Sequence, residues 1–267
     1  YAVRVDVTAE LIGLLGTARV HGDPIDRHIY AKDAGVGVGD PSIIVLPETT
    51  EEVAAVMRLA VRAGMPVVAR GAGTGLAGGA VPAPGSILVV LTRMNGIHEV
   101  DEIGRTVWVG PGVINLDLSN ALTKRGLHFA PDPSSQQSST VGGNTATNAG
   151  GPHCLAEGST IAHILGVEVV TADGDVVMLG GAAPDVPGYD LRGLIVGSEG
   201  TLGVVTRVLV RLTENPPEVA TMLIAFQDIN DAARTVSDII SSGLVPAALE
   251  IMDRSMVQAV TVSLARG

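Results

Sequence analysis

Within the first ninety residues, two short apolar runs flank a stretch in which apolar residues recur at helical spacing. Residues 42–46 and 66–69 are apolar runs of strand length, and apolar residues recur at helical spacing over residues 53–61 between them. Thr49, followed three residues later by a glutamate, predicts where the helix begins, and Gly64 predicts where it ends. The pattern therefore predicts a strand–helix–strand unit, which is expected to be parallel and right-handed.

The pattern beyond this unit is typical of a protein that mixes helices with strands. Asp173 and Gly174 lie between two apolar runs and predict a tight hairpin turn. A helix is predicted at residues 113–124, and residues 130–158 show no period, so they are predicted to be irregular. Strands are predicted at residues 87–91, 98–100, 106–109, 166–170, 175–179 and 202–212.

The order of the elements predicts an α+β protein in three parts. Residues 1–40 are expected to form an N-terminal arm against the body, and residues 41–215 are expected to form the body itself. Residues 216–267 follow a proline-containing linker and begin a new α+β unit. Because about 50 residues bury too little apolar surface to fold alone, we expect this unit to be the beginning of a larger second domain. Its predicted elements are strands at 219–226 and 247–251 and helices at 228–241 and 254–264.

The most distinctive stretch is a glycine-rich loop at residues 70–80, directly after a predicted strand. Such a loop lets a ligand approach the main chain, and its N–H groups can form a nest for an anion. Residues 73–78 fit the G-x-G-x-x-G pattern of a Rossmann site, but Pro82 and Pro84 prevent a helix from following. The Rossmann interpretation is therefore rejected, and a flexible surface loop remains the simpler alternative.

Two further clusters of glycine and hydroxyl residues decide against that simpler alternative. They lie at residues 140–151 and 197–203, and the first is expected to be a second nest in which Gly143 has a positive φ. Three such segments on one body predict a long ligand wrapped by backbone. A dinucleotide with a large ring system fits better than a mononucleotide.

Charge and rare residue types exclude several classes of function. The net charge of −11 argues against a nucleic acid partner, and a single cysteine excludes an internal disulfide and favours a reducing compartment. The six histidines lack the spacing of a metal site. His153 and Cys154 are adjacent, which favours a packed thiol over a nucleophile pair. Val196 stands where the G-x-S-x-G elbow of a hydrolase requires glycine.

Several of these motifs, in this order, resemble the p-cresol methylhydroxylase-type (PCMH-type) FAD-binding oxidases and dehydrogenases. This family includes the FAD-binding D subunit of glycolate oxidase and the D-lactate and D-2-hydroxyglutarate dehydrogenases. The resemblance implies a two-lobed FAD-binding domain followed by a substrate or cap domain. It rests on residues 66–80 (PVVARGAGTGLAGGA), 131–135 (PDPSS), 142–144 (GGN), 148–155 (NAGGPHCL), 197–203 (GSEGTLG) and 246–253 (PAALEIMD).

The resemblance also implies which residues surround the FAD. Thr74 stands where some relatives attach FAD through a histidine, so the flavin is expected to be non-covalent. The implied set is Arg70, Gly71, Ala72, Gly73, Thr74, Gly75, Gly78 and Gly79 at the pyrophosphate; Thr140, Gly142, Gly143 and Asn148 at the pyrophosphate and ribityl chain; Pro131 and Asp132 near the flavin; Gly150, Gly151 and Gly158 at close approaches; Ile164 and Val167 along the adenine; and Glu199, Gly200, Gly203 and Val204 closing the pocket.

The activity implied by the resemblance is oxidation of a small 2-hydroxy acid, glycolate or D-lactate, by hydride transfer to flavin N5. The catalytic base stays unnamed, because the family supplies it mainly from the substrate domain. The alternative is an FAD-binding component of a multisubunit electron-transfer complex. The expected location is the cytoplasm, peripheral to the inner face of the membrane through partner subunits of a glycolate oxidase complex.

Overall fold

The computed structural model describes residues 6–183 and 188–264, so the outer ends of the predicted first and last parts lie outside the described residues. Its helices are α1 Val7–Leu15, α2 Pro24–Ile29, α3 Thr50–Ala63, α4 Asn115–Leu122, α5 Val141–Thr147, α6 Cys154–Glu157, α7 Leu191–Ile195, α8 Ile229–Ser241 and α9 Arg254–Leu264. Its strands are β1 Val20–His21, β2 Ile43–Val45, β3 Val67–Arg70, β4 Ile87–Val90, β5 Ile97–Asp101, β6 Thr106–Val109, β7 Leu127–His128, β8 Ile164–Val170, β9 Val176–Gly180, β10 Val204–Arg211 and β11 Thr213–Glu214.

The first lobe is built on a sheet with the strand order β1-β2-β4-β3. Strands β2 and β3 both run parallel to β4, which confirms the predicted parallel strand–helix–strand unit and places β4 between its two strands. Every residue of β2 and β4 is buried, as expected for a sheet that is covered on both faces.

Helix α3 begins and ends where the sequence predicts. The Thr49 hydroxyl accepts a hydrogen bond from the Glu52 N–H at 3.2 Å, and Gly64 ends the helix with a φ of 65°. The Glu52 carboxylate does not return to Thr49. It accepts from the Glu48 N–H at 2.7 Å and from both terminal nitrogens of Arg19, each at 2.7 Å.

The expected N-terminal arm is tied closely to this lobe. Leu11 and Leu15 of α1 are buried in the same core cluster as α3, and β1 pairs antiparallel with β2. The Arg19–Glu52 pair is bidentate and fixes the segment to α3. Strand β1 has only two residues, too few to show an alternation of apolar and polar positions. The sequence therefore predicted contact between the arm and the body, but not this strand.

The second lobe is an antiparallel sheet with the order β5-β6-β10-β8-β9. Strands β8 and β9 form the predicted hairpin, and Gly174 in its turn has a φ of 81°. The two lobes share one packed boundary, because Val170 and Val204 belong to the core cluster of the first lobe. Across it, the Thr50 hydroxyl donates to the Glu168 carboxylate at 2.6 Å, and Arg58 donates to the Gly174 carbonyl at 2.7 Å.

The prediction for residues 130–158 is wrong in part, because α5 and α6 lie within them. Glycine disfavours helix in sequence-based reasoning. Gly142, however, lies in α5 where a Cβ would be 2.5 Å from Pro111 Cβ, so close packing against the neighbouring segment accounts for the glycine.

The strands predicted at 219–226 and 247–251 are also wrong, whereas helices α8 and α9 confirm the two predicted helices. A strand needs a hydrogen-bonded partner strand. No such partner lies beside these segments among the described residues, and Leu223 is 97% exposed.

The bond between Thr50 and Glu168 predicts a measurable coupling between the lobes. Thr50→Val removes a buried donor to a carboxylate and is expected to lower the free energy of unfolding by about 1.5–3 kcal/mol. Thermal unfolding measures the change, and Thr123→Val, at an exposed hydroxyl on a helical turn, is the control. Equal melting temperatures for the two variants would contradict a stabilising role for this bond.

Candidate functional site

A cavity of about 590 Å³ lies between the carboxyl end of β3, helix α5 and the segment that precedes β10. Its size is that of a pocket for a cofactor or small molecule. Three stretches of chain supply most of its wall: residues 69–80, residues 140–150 and residues 198–205. These are the three segments that the glycine clusters predicted to meet around one ligand.

The loop at residues 71–80 presents unused donors to this cavity. Among the described residues, none of its backbone N–H groups donates a hydrogen bond to another part of the chain. Backbone donors left unpaired in a folded protein require water or a ligand. Free N–H groups in a glycine-rich loop on the cavity wall favour an anionic ligand such as a phosphate.

Arg70 lies at the base of the loop and fixes its shape. Its guanidinium donates to the Lys32 carbonyl at 2.7 Å and lies 5.7 Å from the centre of the Tyr30 ring. Burial lowers the pKa of Arg70 from its ordinary value, because the charged form loses water. Gly73 has a φ of 73°, and a Cβ there would overlap the Arg70 guanidinium. Glycine is therefore required at position 73 for two reasons.

The N-terminal part of the chain forms a strap, residues 30–40, across the outer side of this loop. The Ala34 N–H donates to the Gly75 carbonyl at 3.1 Å. A Cβ on Gly35 would lie 2.7 Å from the Leu76 carbonyl oxygen, and one on Gly39 would overlap the Pro82 carbonyl. The strap therefore contacts the loop and the segment that follows it, and sequence reasoning did not assign the strap to the site.

Two of the three wall segments, helix α5 and the segment that precedes β10, are joined by backbone hydrogen bonds. The Gly197 N–H donates to the Thr145 carbonyl at 3.0 Å, and the Glu199 N–H donates to the Ala146 carbonyl at 2.8 Å. Asn148 and Glu199, both on the wall, have left-handed φ values of 47° and 52°. Non-glycine residues in this region store backbone strain, which is common at binding sites.

The structure brings most of the expected FAD-binding residues onto the cavity wall. They are Arg70, Gly71, Ala72, Gly73, Thr74, Gly75, Gly79, Thr140, Gly142, Gly143, Asn148, Gly150, Glu199, Gly200 and Gly203. Ile164 and Val167 are fully buried in the core of the second lobe. The expected residues that do not line the cavity are Gly78, Pro131, Asp132, Gly151, Gly158, Ile164, Val167 and Val204.

The second cluster differs from the expected nest. Thr140 caps helix α5 by accepting from the Gly143 N–H at 3.2 Å, so Gly143 is helical. The expected positive φ at Gly143 is wrong, and its φ places no penalty on a side chain. A Cβ there would meet the Thr140 hydroxyl oxygen at 3.1 Å, so space rather than backbone angle limits this position.

Sequence reasoning missed part of the wall. Asn144 is 3% exposed, and its amide nitrogen has no hydrogen-bond partner. Asn144 belongs to one of the family motifs, but the motif implied no role for it. The sequence alone does not show whether a side chain will be buried without a hydrogen-bond partner. The other missed wall residues are Ala69, Leu76, Ala77, Ala80, Leu91, Pro111, Ser134, Ser135, Ala146, Thr147, Ala149, Ser198 and Val205.

Asp132 and His153 form a pair beside the cavity. The Asp132 carboxylate lies 2.5 Å from Nδ1 of His153. Cys154 accepts from the Gly151 N–H at 3.1 Å through its sulfur, so it is oriented by the backbone and not by His153. Among residues 6–183 and 188–264, no group of three or more His, Cys, Asp and Glu side chains is placed to hold a metal ion.

Comparison with known proteins assigns the ligand. The sequence profile described as "FAD binding domain" matches residues 41–180, just over half of the chain. The chain belongs to this family. A second profile, "FAD linked oxidases, C-terminal domain", matches residues 215–266. The PCMH-type FAD-linked family that the motifs indicated is thereby confirmed.

Individual relatives agree with the family. The chain is 45% identical to the glycolate oxidase subunit GlcD of Escherichia coli, over 82% of this chain and 44% of the relative. It is 37% identical to the D-lactate dehydrogenase of Anaerostipes hadrus, over 88% of this chain and 50% of the relative. The chain therefore spans about half the length of the curated relatives it matches.

A solved structure of p-cresol methylhydroxylase superposes with a TM-score of 0.74, at 22% identity, over 87% of this chain and 48% of that one. At this identity the likeness shows the fold alone. The fold agrees with the two-lobed α+β architecture that the family resemblance implies.

The residues of the cavity fit FAD. The N–H groups of residues 71–80 have no partner in the described chain and suit its pyrophosphate. FAD is therefore the cofactor of this domain, and the precise set of residues that contacts it stays a prediction.

Alanine substitutions at two glycines of the loop are predicted to have different effects on stability and on FAD occupancy. A Cβ on Gly71 would overlap the Thr140 hydroxyl, whereas a Cβ on Gly75 has no neighbour within 4 Å. Neither glycine has a positive φ, so alanine strains neither backbone. Gly71→Ala is expected to destabilise the FAD-free protein by about 1–3 kcal/mol through overpacking. Gly75→Ala is expected to leave its melting temperature unchanged and to lower FAD occupancy.

The measurements are the melting temperature without FAD and the flavin absorbance of the purified variants. Full FAD occupancy in Gly75→Ala would show that the ligand does not fill the space beside this loop.

Proposed function

We propose that the protein oxidises a small 2-hydroxy acid to the 2-oxo acid with FAD as the electron acceptor. The observation that carries the proposal is the glycine-walled cavity in a domain of the FAD-linked oxidase family. The relatives add the substrate class, since their names specify glycolate oxidase, D-lactate dehydrogenase and D-2-hydroxyglutarate dehydrogenase. Glycolate and D-lactate are the proposed substrates.

The residues of this chain would mainly bind and orient the cofactor. The N–H groups of residues 71–80 would donate hydrogen bonds to the pyrophosphate, and the wall segments would exclude water from its buried side. When bound, FAD accepts a hydride from the carbon that carries the substrate hydroxyl. Arg70 is the only Lys, Arg or His on the described cavity wall, and its guanidinium faces the strap. The cation for the substrate carboxylate and the base for its hydroxyl proton are therefore proposed to come from the substrate domain.

The flavin is proposed to be held without a covalent bond. Thr74, at the position where the family resemblance places a linking histidine, offers only a hydroxyl. No His, Cys or Tyr is found among the described residues that line the cavity. The array of backbone donors offers a non-covalent means of retaining the cofactor.

The protein is also proposed to act within a larger assembly. The Escherichia coli relative is named as a subunit, which supports an electron-transfer complex with partner chains. In the described parts of the chain, no helix has the length and apolar character needed to cross a bilayer. A cytoplasmic location, peripheral to the membrane through partner subunits, is the proposed arrangement.

Anaerobic mixing with candidate substrates tests the proposed reaction. Glycolate or D-lactate is expected to bleach the visible absorption of the bound flavin, because two electrons pass to it. L-lactate and acetate are the controls. A flavin that no 2-hydroxy acid bleaches, but that accepts electrons from a co-purifying subunit, would favour the alternative of an electron-transfer component without its own catalytic base.

Acid precipitation tests the mode of attachment. The yellow colour is expected to pass into the supernatant, because Thr74 cannot form the imidazole linkage. Flavin that stays on the washed pellet after denaturation would contradict non-covalent binding.

A further inference from the structure

The stretch of chain after helix α5, residues 150–156, has few contacts with the rest of the protein, and we call it the rim segment. Its first residue lies on the cavity wall, and none of its residues is buried. Two bonds close its base: the Thr160 N–H donates to the Ala149 carbonyl at 3.0 Å, and His163 Nε2 lies 2.9 Å from the Glu157 carbonyl oxygen. A segment with so little buried surface opens locally at a low cost in free energy.

Near its middle, the rim segment is tied to another stretch of chain by one pair of residues. The Asp132 carboxylate accepts from the His153 N–H at 3.4 Å through Oδ1, and its Oδ2 lies 2.5 Å from His153 Nδ1. A Cβ on Gly151 would overlap the Asp132 carbonyl oxygen, so the two backbones are also in close contact. Among the described residues, every other hydrogen bond of the rim segment stays within residues 150–158. The pair is therefore its one hydrogen-bonded tie to a distant part of the described chain.

The stretch on the other side of this tie is firmly held and also belongs to the cavity wall. Ser134 and Ser135 line the cavity shortly after Asp132. The Asn115 amide nitrogen donates to the Pro131 carbonyl at 2.8 Å, and both residues are buried. The tie thus connects a fixed carboxylate on one wall stretch to a histidine on a loosely packed one.

The pair is too exposed to contribute much to the stability of the whole fold. The side chain of Asp132 is 19% exposed and that of His153 is 47% exposed, and ion pairs that are open to solvent contribute little to folding. Neither residue lines the cavity. Loss of the tie would therefore free the rim segment beside the cavity without unfolding the lobe.

We propose that Asp132 is a positioning residue that holds His153 and thereby keeps the rim segment closed beside the bound FAD. The inference rests on the non-covalent FAD site proposed above. Asp132 acts through His153, and opening of their tie is a step in the release of the cofactor. Weakening the tie therefore raises the rate of FAD release and has little effect on the fold.

The rate of FAD release from the full-length, FAD-loaded protein tests the proposal, and flavin fluorescence after dilution follows it. Asp132→Ala and His153→Phe are each expected to release FAD about tenfold faster, because a hydrogen bond to a carboxylate is lost. The double variant is also expected to release FAD about tenfold faster, and not a hundredfold, because both changes remove the same tie.

Two further variants separate the tie from other effects of these changes. His153→Asn places an amide nitrogen where Nδ1 lies, so its FAD release is expected to stay within twofold of the unmodified rate. His128→Phe is the matched control, because His128 Nδ1 lies 3.0 Å from the Asn215 amide oxygen and neither residue lines the cavity. It is expected to leave FAD release unchanged. The FAD-free melting temperature of Asp132→Ala is expected to fall no further than that of this control.

FAD release within twofold of the unmodified rate in both single variants would overturn the proposal, as would effects that multiply in the double variant. Release from His153→Asn as fast as from His153→Phe would overturn it too, since the ring and not the bond would then matter. A melting temperature of Asp132→Ala well below that of His128→Phe would overturn it by showing a structural role. FAD that stays attached to the denatured unmodified protein would instead refute the non-covalent site itself.

Discussion

The constraint on which the structure depends is the approach of backbone to backbone around one cavity. Gly71 lies against the Thr140 side chain, and Gly142 lies against Pro111, at distances that leave no room for a Cβ. These contacts bring the end of β3 close to α5, and the backbone bonds from Gly197 and Glu199 to α5 add the segment before β10 to the same cavity wall. A wall of long side chains would hold the same segments too far apart for these contacts.

The strength of this arrangement comes from both lobes. Helix α3 packs against the first sheet and also contacts the second through Thr50 and Arg58, so the cavity lies at a boundary that is itself part of the core. The left-handed backbone at Asn148 and Glu199 is tolerated because neighbouring hydrogen bonds fix both residues. Two of the three described non-glycine residues with a positive φ therefore lie on the cavity wall.

Sequence reasoning predicted features with a local cause. Helix α3, the β8–β9 hairpin and the glycine loop each have a capping residue, a turn residue or an apolar period that identifies them. Helix α5 was missed because Gly142 is helical for a tertiary reason, its packing against Pro111. Asn144 was given no role because hydrogen-bond satisfaction is a property of the folded neighbourhood. The strands wrongly predicted at 219–226 and 247–251 show that an apolar run becomes a strand only beside a partner.

The strap over the glycine loop has a consequence for the rate at which flavin exchanges. Gly35 packs against Leu76 and Gly39 packs against Pro82, so the N-terminal segment supports the loop at these two points. Movement of the loop is expected to disturb this segment, including the bond between Arg70 and the Lys32 carbonyl. The residence time of the cofactor is therefore expected to depend on the local stability of residues 30–40, although none of them lines the cavity.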